Sequence, residues 1–225
     1  LLFRETLFAA DSMKDCIGGV ILYDETINQT SNNRKAIPAM ISETGAVPGI
    51  KVDTGAKDLA NSLDEKVTEG LDGLRERLKR YYDLGARFAK WRGVYIIGEK
   101  YPSKLAINSN AHALARYSAL VQECGMVPIV EPEVLMDGDH TAEDCLIKTS
   151  EVIQKCFEEL LIHKIDLTGI ILKPNMILAG NKSKNKVSNE EVSYKTLECL
   201  KKSVPNEVPG IAFLSGGQSE IEATE

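Results

Sequence analysis

Short apolar runs alternate along the chain with longer amphipathic segments. The runs recur at intervals of roughly 30 to 40 residues. Their length and their Val, Ile and Leu content are typical of buried parallel strands. The strands predicted in this way are residues 17–23, 49–53, 87–92, 127–133, 169–172 and 210–214.

The segments between these runs carry apolar residues at helical spacing. In one of them Leu114, Tyr117 and Val121 form a single stripe, and Gly125 ends the helix. Residues 28–48 are polar and rich in turn formers, so we predict a loop there. Helices are predicted at residues 70–84, 103–124, 141–161 and 188–204, after the end of another helix at residues 2–10.

Strands that alternate with helices indicate a parallel sheet, either open and doubly wound or closed into a (β/α)8 TIM barrel. The barrel is favoured because polar residues lie at the C-terminal ends of consecutive strands, whereas an open sheet would gather them at one switch point. These residues are Lys51, Lys90, Arg92, Glu131, Glu133, Lys173 and Ser215.

The length of the chain limits how much of a barrel it can contain. At about 40 residues per βα unit, 225 residues hold about six of the eight units. We therefore expect an α/β fold in which residues 1–225 form a single partial TIM-barrel domain without the first and last strands.

Composition excludes several classes of function. The net charge of −6 argues against a general nucleic-acid binder. No apolar run approaches the roughly 18 residues of a membrane span. The five cysteines are scattered and include no CxxC pair, which is typical of buried thiols in a reducing compartment. We expect a cytoplasmic protein without a membrane or nucleic-acid partner.

The predicted strand at residues 169–172 is followed by Lys173 and Pro174. The proline keeps Lys173 extended and ends the strand, so the amine points beyond the strand tip. One interpretation is a lysine that extends to water from the edge of the sheet. The other is a desolvated amine that attacks carbonyl groups to form a Schiff base, because burial and neighbouring cations favour the neutral form.

The other residues of this rim complete a possible site. Lys51, Lys90 and Arg92 add cations that can hold phosphates. Glu131 and Glu133 can exchange protons or orient the lysines. Backbone N–H groups at residues 215–217 can form a phosphate cup at a strand-to-helix turn. For each residue alone, a solvated charge is the simpler interpretation; their common position favours a site.

Four motifs carry a resemblance to a known family: Lys-Trp-Arg at 90–92, Val-Glu-Pro-Glu at 130–133, Leu-Lys-Pro-Asn-Met at 172–176 and Leu-Ser-Gly-Gly-Gln at 214–218. The chain resembles the class I fructose-1,6-bisphosphate aldolases over essentially its whole length. The resemblance implies a metal-free lyase of glycolysis and gluconeogenesis that needs no cofactor, binds a phosphorylated sugar and forms a homotetramer.

The resemblance also implies catalytic roles. Lys173 would form the Schiff base with the C2 ketone of the sugar, and Glu131 would be the acid/base for carbinolamine dehydration. Lys90 would assist charge and proton handling, and Glu133 would orient the lysines.

Five further residues would bind the substrate. Lys51 and Arg92 resemble ligands of the sugar hydroxyls or the C6 phosphate. Leu214, Ser215 and Gly216 resemble the cup for the C1 phosphate. The family's first-strand aspartate and eighth-strand arginine have no counterpart in this sequence, so we expect a fragment.

Three alternatives remain to be weighed. Leu-Ser-Gly-Gly-Gln is also the signature of ABC transporter ATPases, but this sequence has no GxxxxGK[ST] loop. A zinc aldolase would need clustered ligands, and His112, His140 and His163 have no ligand spacing, so we predict no metal site. The third is a non-catalytic phosphosugar-binding or scaffold fragment, against which the intact Lys173, Lys90 and Glu131 set argues.

Overall fold

The structure is a computed structural model that describes residues 2–10, 12–214 and 216–224. Its strands are β1 (Gly19–Leu22), β2 (Val47–Lys51), β3 (Gly55–Asp58), β4 (Lys66–Glu69), β5 (Phe88–Tyr95), β6 (Val127–Val134), β7 (Ile171–Leu172) and β8 (Gly210–Ile211). Its helices are α1 (Leu2–Phe8), α2 (Met13–Cys16), α3 (Asp24–Ile27), α4 (Ile37–Glu43), α5 (Leu74–Asp83), α6 (Lys104–Glu123), α7 (Ala142–Ile162), α8 (Asn189–Ser203) and α9 (Glu220–Thr224).

Six strands form one sheet in the order β1-β2-β5-β6-β7-β8. Each neighbouring pair in this sheet is parallel, and helices connect most of the strands. This arrangement is the α/β fold of a partial TIM barrel and confirms the predicted fold class.

Helix α6 is fixed to the middle of the sheet by Tyr117. The Tyr117 hydroxyl donates to the carbonyl oxygens of Ala89 on β5 (2.6 Å) and Ile129 on β6 (3.2 Å). Its ring lies 5.5 Å from the ring of Trp91, and both side chains are fully buried. Burial raises the pKa of the Tyr117 hydroxyl well above its usual value. The helix and the two strands therefore share one buried contact.

The two faces of strand β5 have different side chains. Ala89 and Trp91 are buried, whereas Phe88, Lys90 and Arg92 are only half-buried. This alternation is the two-residue period of a strand and confirms the predicted faces. One face of β5 packs on helices, and the other carries the charged side chains.

One predicted loop is wrong. Residues 28–48 include the helix α4, which buries Ile37, Pro38 and Ile41. The proline stands in the first turn of the helix, where no backbone N–H is needed. Ile37 and Ile41 are four residues apart and share one face. The polar residues that flank this short helix hid its pattern.

The antiparallel hairpin of β3 and β4 was not predicted. Its residues are largely polar and exposed, so they carry a weak strand pattern. The hairpin is held by Thr68, whose hydroxyl donates to the Arg92 carbonyl oxygen (2.6 Å) and whose N–H donates to Asn110 Oδ1 (3.0 Å). These hydrogen bonds join residues that are far apart in sequence, so no local sequence pattern predicts the hairpin.

Among the described residues, no helix combines the length and the apolar character needed to cross a bilayer.

Candidate active site

The parallel sheet brings the predicted charged residues together on one side. Lys51 ends β2, and Lys173 directly follows β7. Lys90, Arg92, Glu131 and Glu133 lie within β5 and β6, not at their ends, because these two strands pair over eight residues and continue to Tyr95 and Val134.

Glu131 is the centre of the site. Its Oε1 accepts from Lys173 Nζ at 2.5 Å, and its Oε2 lies 2.6 Å from Lys90 Nζ. The side chain of Glu131 is only 3% exposed, and those of Lys90 and Lys173 are 12% and 20% exposed. Two ammonium groups thus compensate one buried carboxylate, which is within reach of a proton on either amine.

Glu133 has a different partner. Its Oε2 accepts from Arg92 Nε at 2.5 Å. This hydrogen bond raises the pKa of the Arg92 guanidinium, against the opposing effect of burial. The lysine-orienting role of Glu133 stays a prediction; the carboxylate that contacts both Lys90 and Lys173 is that of Glu131.

Asp53 links Lys51 to the backbone of Arg92 and was not among the predicted site residues. Its carboxylate pairs with Lys51 Nζ and accepts from the backbone N–H groups of Gly55 (3.1 Å) and Arg92 (3.4 Å). The Asp53 side chain is 2% exposed. A signal existed, because Lys51 and Asp53 are two apart and share a strand face. Lys51 and Asp53 border a cavity of about 950 Å³.

Asn175 fixes the segment that follows Lys173, a role the sequence did not indicate. Its Oδ1 accepts from the N–H of Val134 (2.9 Å), and its Nδ2 donates to Thr149 Oγ1 (3.1 Å). The Lys173 N–H donates to the Val130 carbonyl oxygen at 2.8 Å. Both ends of this short segment are therefore held on β6, which determines where the Lys173 amine can reach.

Two members of the predicted phosphate cup lie beside Arg92. Leu214 and Gly216 line a cavity of about 250 Å³ together with Arg92 and Glu133. A Cβ atom at position 216 would lie 2.7 Å from Leu214 Cδ1, the end of a flexible side chain that can turn away. Ser215 lies outside the described residues. The cup itself stays a prediction.

Comparisons with known proteins identify relatives of the whole chain. A family model described as glycolytic fructose-bisphosphate aldolase class-I matches residues 1–225. The chain belongs to the class I fructose-bisphosphate aldolase family. This membership confirms the resemblance carried by the four motifs.

Curated fructose-bisphosphate aldolases match nearly the whole chain. A probable fructose-bisphosphate aldolase class 1 of Xanthomonas campestris pv. campestris is 50% identical over 99% of this chain and 66% of its own length. The cytosolic fructose-bisphosphate aldolase 4 of Arabidopsis thaliana is 48% identical over 98% of this chain and 56% of its own length. The chain therefore spans less than two thirds of these relatives.

A solved aldolase has the same fold. The fructose-bisphosphate aldolase of Plasmodium falciparum, in a ternary co-crystal structure with TRAP and a small-molecule inhibitor, has a TM-score of 0.97 and 41% identity. The match covers 99% of this chain and 65% of that one. The partial barrel described above is thus the arrangement found in a solved fructose-bisphosphate aldolase.

Proposed function

We propose that this chain carries the carbon–carbon lyase chemistry of its family. The reaction is the reversible cleavage of fructose 1,6-bisphosphate to dihydroxyacetone phosphate and glyceraldehyde 3-phosphate, through a Schiff base on Lys173. The observation that carries the proposal is the placement of one buried carboxylate, Glu131, against both Lys173 and Lys90.

The first steps use the contact between Lys173 and Glu131. Glu131 takes a proton from the Lys173 ammonium, and the free amine adds to the C2 ketone to give a carbinolamine. Glu131 then returns the proton to the leaving hydroxyl, so that water departs and an iminium forms. The 2.5 Å separation of the two groups allows each transfer.

Cleavage follows from the iminium. The C4 hydroxyl gives its proton to the Glu131 carboxylate, the electron pair of the C3–C4 bond moves toward the iminium nitrogen, and glyceraldehyde 3-phosphate leaves. The remaining enamine is protonated and hydrolysed to dihydroxyacetone phosphate, which restores Lys173. Lys90, 2.6 Å from Glu131, stabilises the carboxylate in each step.

The cations around this centre bind the substrate. Lys51 and Arg92 hold the sugar hydroxyls or the C6 phosphate. Leu214, Ser215 and Gly216 supply the cup for the C1 phosphate. Support comes from the shared cavity of Arg92, Leu214 and Gly216.

We further propose the setting in which the chain works. Residues 1–225 act as a single partial-barrel domain, and the protein is a cytoplasmic homotetramer of glycolysis and gluconeogenesis. A cytoplasmic location is supported by the name of the Arabidopsis relative as cytosolic, and the homotetramer rests on the family resemblance.

Reductive trapping tests the lyase proposal. The chain is incubated with dihydroxyacetone phosphate and borohydride, and the modified peptide is identified by mass spectrometry. We expect an adduct on Lys173 in the unaltered chain and none in Lys173→Arg. Lys155→Arg, which alters a surface lysine of α7, is the matched control and should still be trapped.

The outcome also separates the lyase from a non-catalytic phosphosugar-binding role. A folded chain that binds the phosphosugar without forming an adduct would support that second role. An adduct on another lysine would contradict the assignment of Lys173.

A further inference from the structure

Two histidines and a glutamate meet where helices α6 and α7 pack together. Glu159 and His163 are four residues apart, at the C-terminal end of α7, and His112 lies on α6. One side-chain ligand atom from each of the three residues lies within 4.8 Å of the other two. Histidine spacing along the chain predicted no metal site, because the set is completed by a glutamate and by packing between helices.

The pair formed by His112 and Glu159 already has the separation of two metal ligands. His112 Nδ1 lies 3.2 Å from Glu159 Oε2. Two ligand atoms of a tetrahedral zinc site, each about 2.1 Å from the ion, are about 3.4 Å apart. A cation can therefore replace the hydrogen between these two atoms with a small movement of the side chains.

The ring of His163 lies edge-on to that of His112, with the ring centres 5.0 Å apart, and its Nδ1 is 4.0 Å from Glu159 Oε2. Its Nδ1 lies 2.9 Å from the carbonyl oxygen of Glu159. Because a carbonyl oxygen only accepts, Nδ1 is the donor. Nε2 of the neutral ring then keeps its lone pair for a metal ion. A backbone carbonyl that fixes the histidine tautomer in this way is the usual outer partner of a metal-binding imidazole.

The charge of Glu159 suits a cation. Its side chain is only 13% exposed, and its Oε2 lies 3.2 Å from His112 Nδ1 and 4.0 Å from His163 Nδ1. Lys155 Nζ contacts the other oxygen, Oε1, at 3.1 Å. One carboxylate oxygen therefore faces His112. The Lys155 ammonium on the other oxygen competes with a bound cation for the carboxylate charge.

We propose that His112, Glu159 and His163 form a binding site for a divalent transition ion of the Zn²⁺ class, which links α6 to α7. The three residues lie on α6 and at the end of α7, and His112 also lines the cavity that Lys51 and Asp53 border. Imidazole nitrogen and carboxylate oxygen are ligands that Zn²⁺, Co²⁺ and Ni²⁺ accept, whereas Mg²⁺ prefers oxygen alone.

The test is calorimetric titration of the chelator-treated chain with ZnCl₂. All samples carry Cys16→Ser, because Cys16 is an exposed thiol that could bind Zn²⁺ by itself. The ligand variants are His112→Ala, Glu159→Gln and His163→Ala. Glu158→Gln is the matched control, since it removes the neighbouring carboxylate that contacts the same lysine but is not part of the cluster.

We expect one equivalent of Zn²⁺ to bind and to raise the melting temperature. Each ligand variant should weaken binding by about tenfold or more, and Glu158→Gln should leave it unchanged. Lys155→Gln should tighten binding, because it removes the competing charge. Excess Mg²⁺ should not displace Zn²⁺.

Two results would overturn the proposal. One is a chain that binds no Zn²⁺ and shows no change in melting temperature. The other is binding that His112→Ala, Glu159→Gln and His163→Ala leave intact, which would place the ion elsewhere.

Discussion

Asp53 shows how one residue can organise neighbouring charges. Its side chain is almost fully buried, and it contacts Lys51 on one side and the backbone of Gly55 and Arg92 on the other. A buried carboxylate of this kind is tolerated only because each oxygen has a partner. Its removal leaves a half-buried ammonium without its counter-charge.

We therefore predict that Asp53→Asn lowers the free energy of unfolding by about 1–3 kcal/mol, a range reduced because Lys51 is partly exposed. Urea denaturation measures this change. Asp58→Asn, which removes the exposed carboxylate paired with Lys66, is the control and should leave stability unchanged within error. Equal effects of the two substitutions would contradict this role of Asp53.

His140 gives a prediction about pH. Burial lowers the pKa of its imidazole, and Lys186 acts in the same direction, whereas Asp137, Asp139 and Asp144 oppose the shift. The folded state thus binds the proton less well than the unfolded chain. Neutral His140 therefore contributes its full stabilisation above the unfolded pKa of about 6.5. This contribution is lost as the pH falls through the lower pKa of the folded state.

Unfolding at a series of pH values tests this effect. We expect the free energy of unfolding to fall below about pH 6.5, and we expect His140→Gln to show a shallower fall. A variant with the same pH profile as the unaltered chain would assign the acid sensitivity to other groups.

At the scale of elements, α6 depends on the two carbonyl contacts of Tyr117. We predict that Tyr117→Phe lowers the free energy of unfolding by about 1–2 kcal/mol, because the hydrogen bonds are lost while the ring still packs. Tyr194→Phe, on the exposed face of α8, is the matched control. Thermal and urea unfolding compare the two variants. An unchanged free energy of unfolding in Tyr117→Phe would mean that the hydroxyl adds no net stability.

The long elements followed from the sequence, and the short ones did not. The stripe of α6 and the alternation of β5 are strong periodic patterns, and both were predicted. Helix α4 has only two aligned isoleucines, and the β3–β4 hairpin depends on Asn110 and Thr68, which are distant in sequence. Strands β7 and β8 pair over two residues each, fewer than their apolar runs suggested.

The same division holds for the candidate site. Strand period and the parallel order placed Lys90, Glu131 and Lys173 on one side, so their proximity could be predicted. The cation that each carboxylate contacts could not be predicted, because Glu131 and Glu133 share a strand face. They differ only in which cation each side chain reaches. Such choices depend on side-chain geometry, which the period of a strand does not specify.

At the scale of the whole molecule, the described sheet has two edges. Among the described strands, β1 pairs only with β2, and β8 pairs only with β7. Ile21 and Tyr23 are exposed at one edge, and Ile211 and Phe213 at the other. Open edges flanked by exposed apolar side chains favour association between chains.

We predict that the 225-residue chain self-associates through these edges when it is isolated. Light scattering after size exclusion and a thermal melt measure this. Ile21→Lys should reduce association by placing a charge on the β1 edge. A monomer with a cooperative melt would contradict the prediction.

The measurement that tests the central claim most directly is the rate of borohydride trapping in Glu131→Gln compared with Glu133→Gln. Both substitutions remove one carboxylate from the same face of β6, but only Glu131 contacts Lys173. We predict that Glu131→Gln slows trapping about 100-fold or more, since proton transfer to and from the lysine is lost, and that Glu133→Gln slows it much less. Trapping at the unaltered rate in Glu131→Gln, or equal slowing in both variants, would contradict the account.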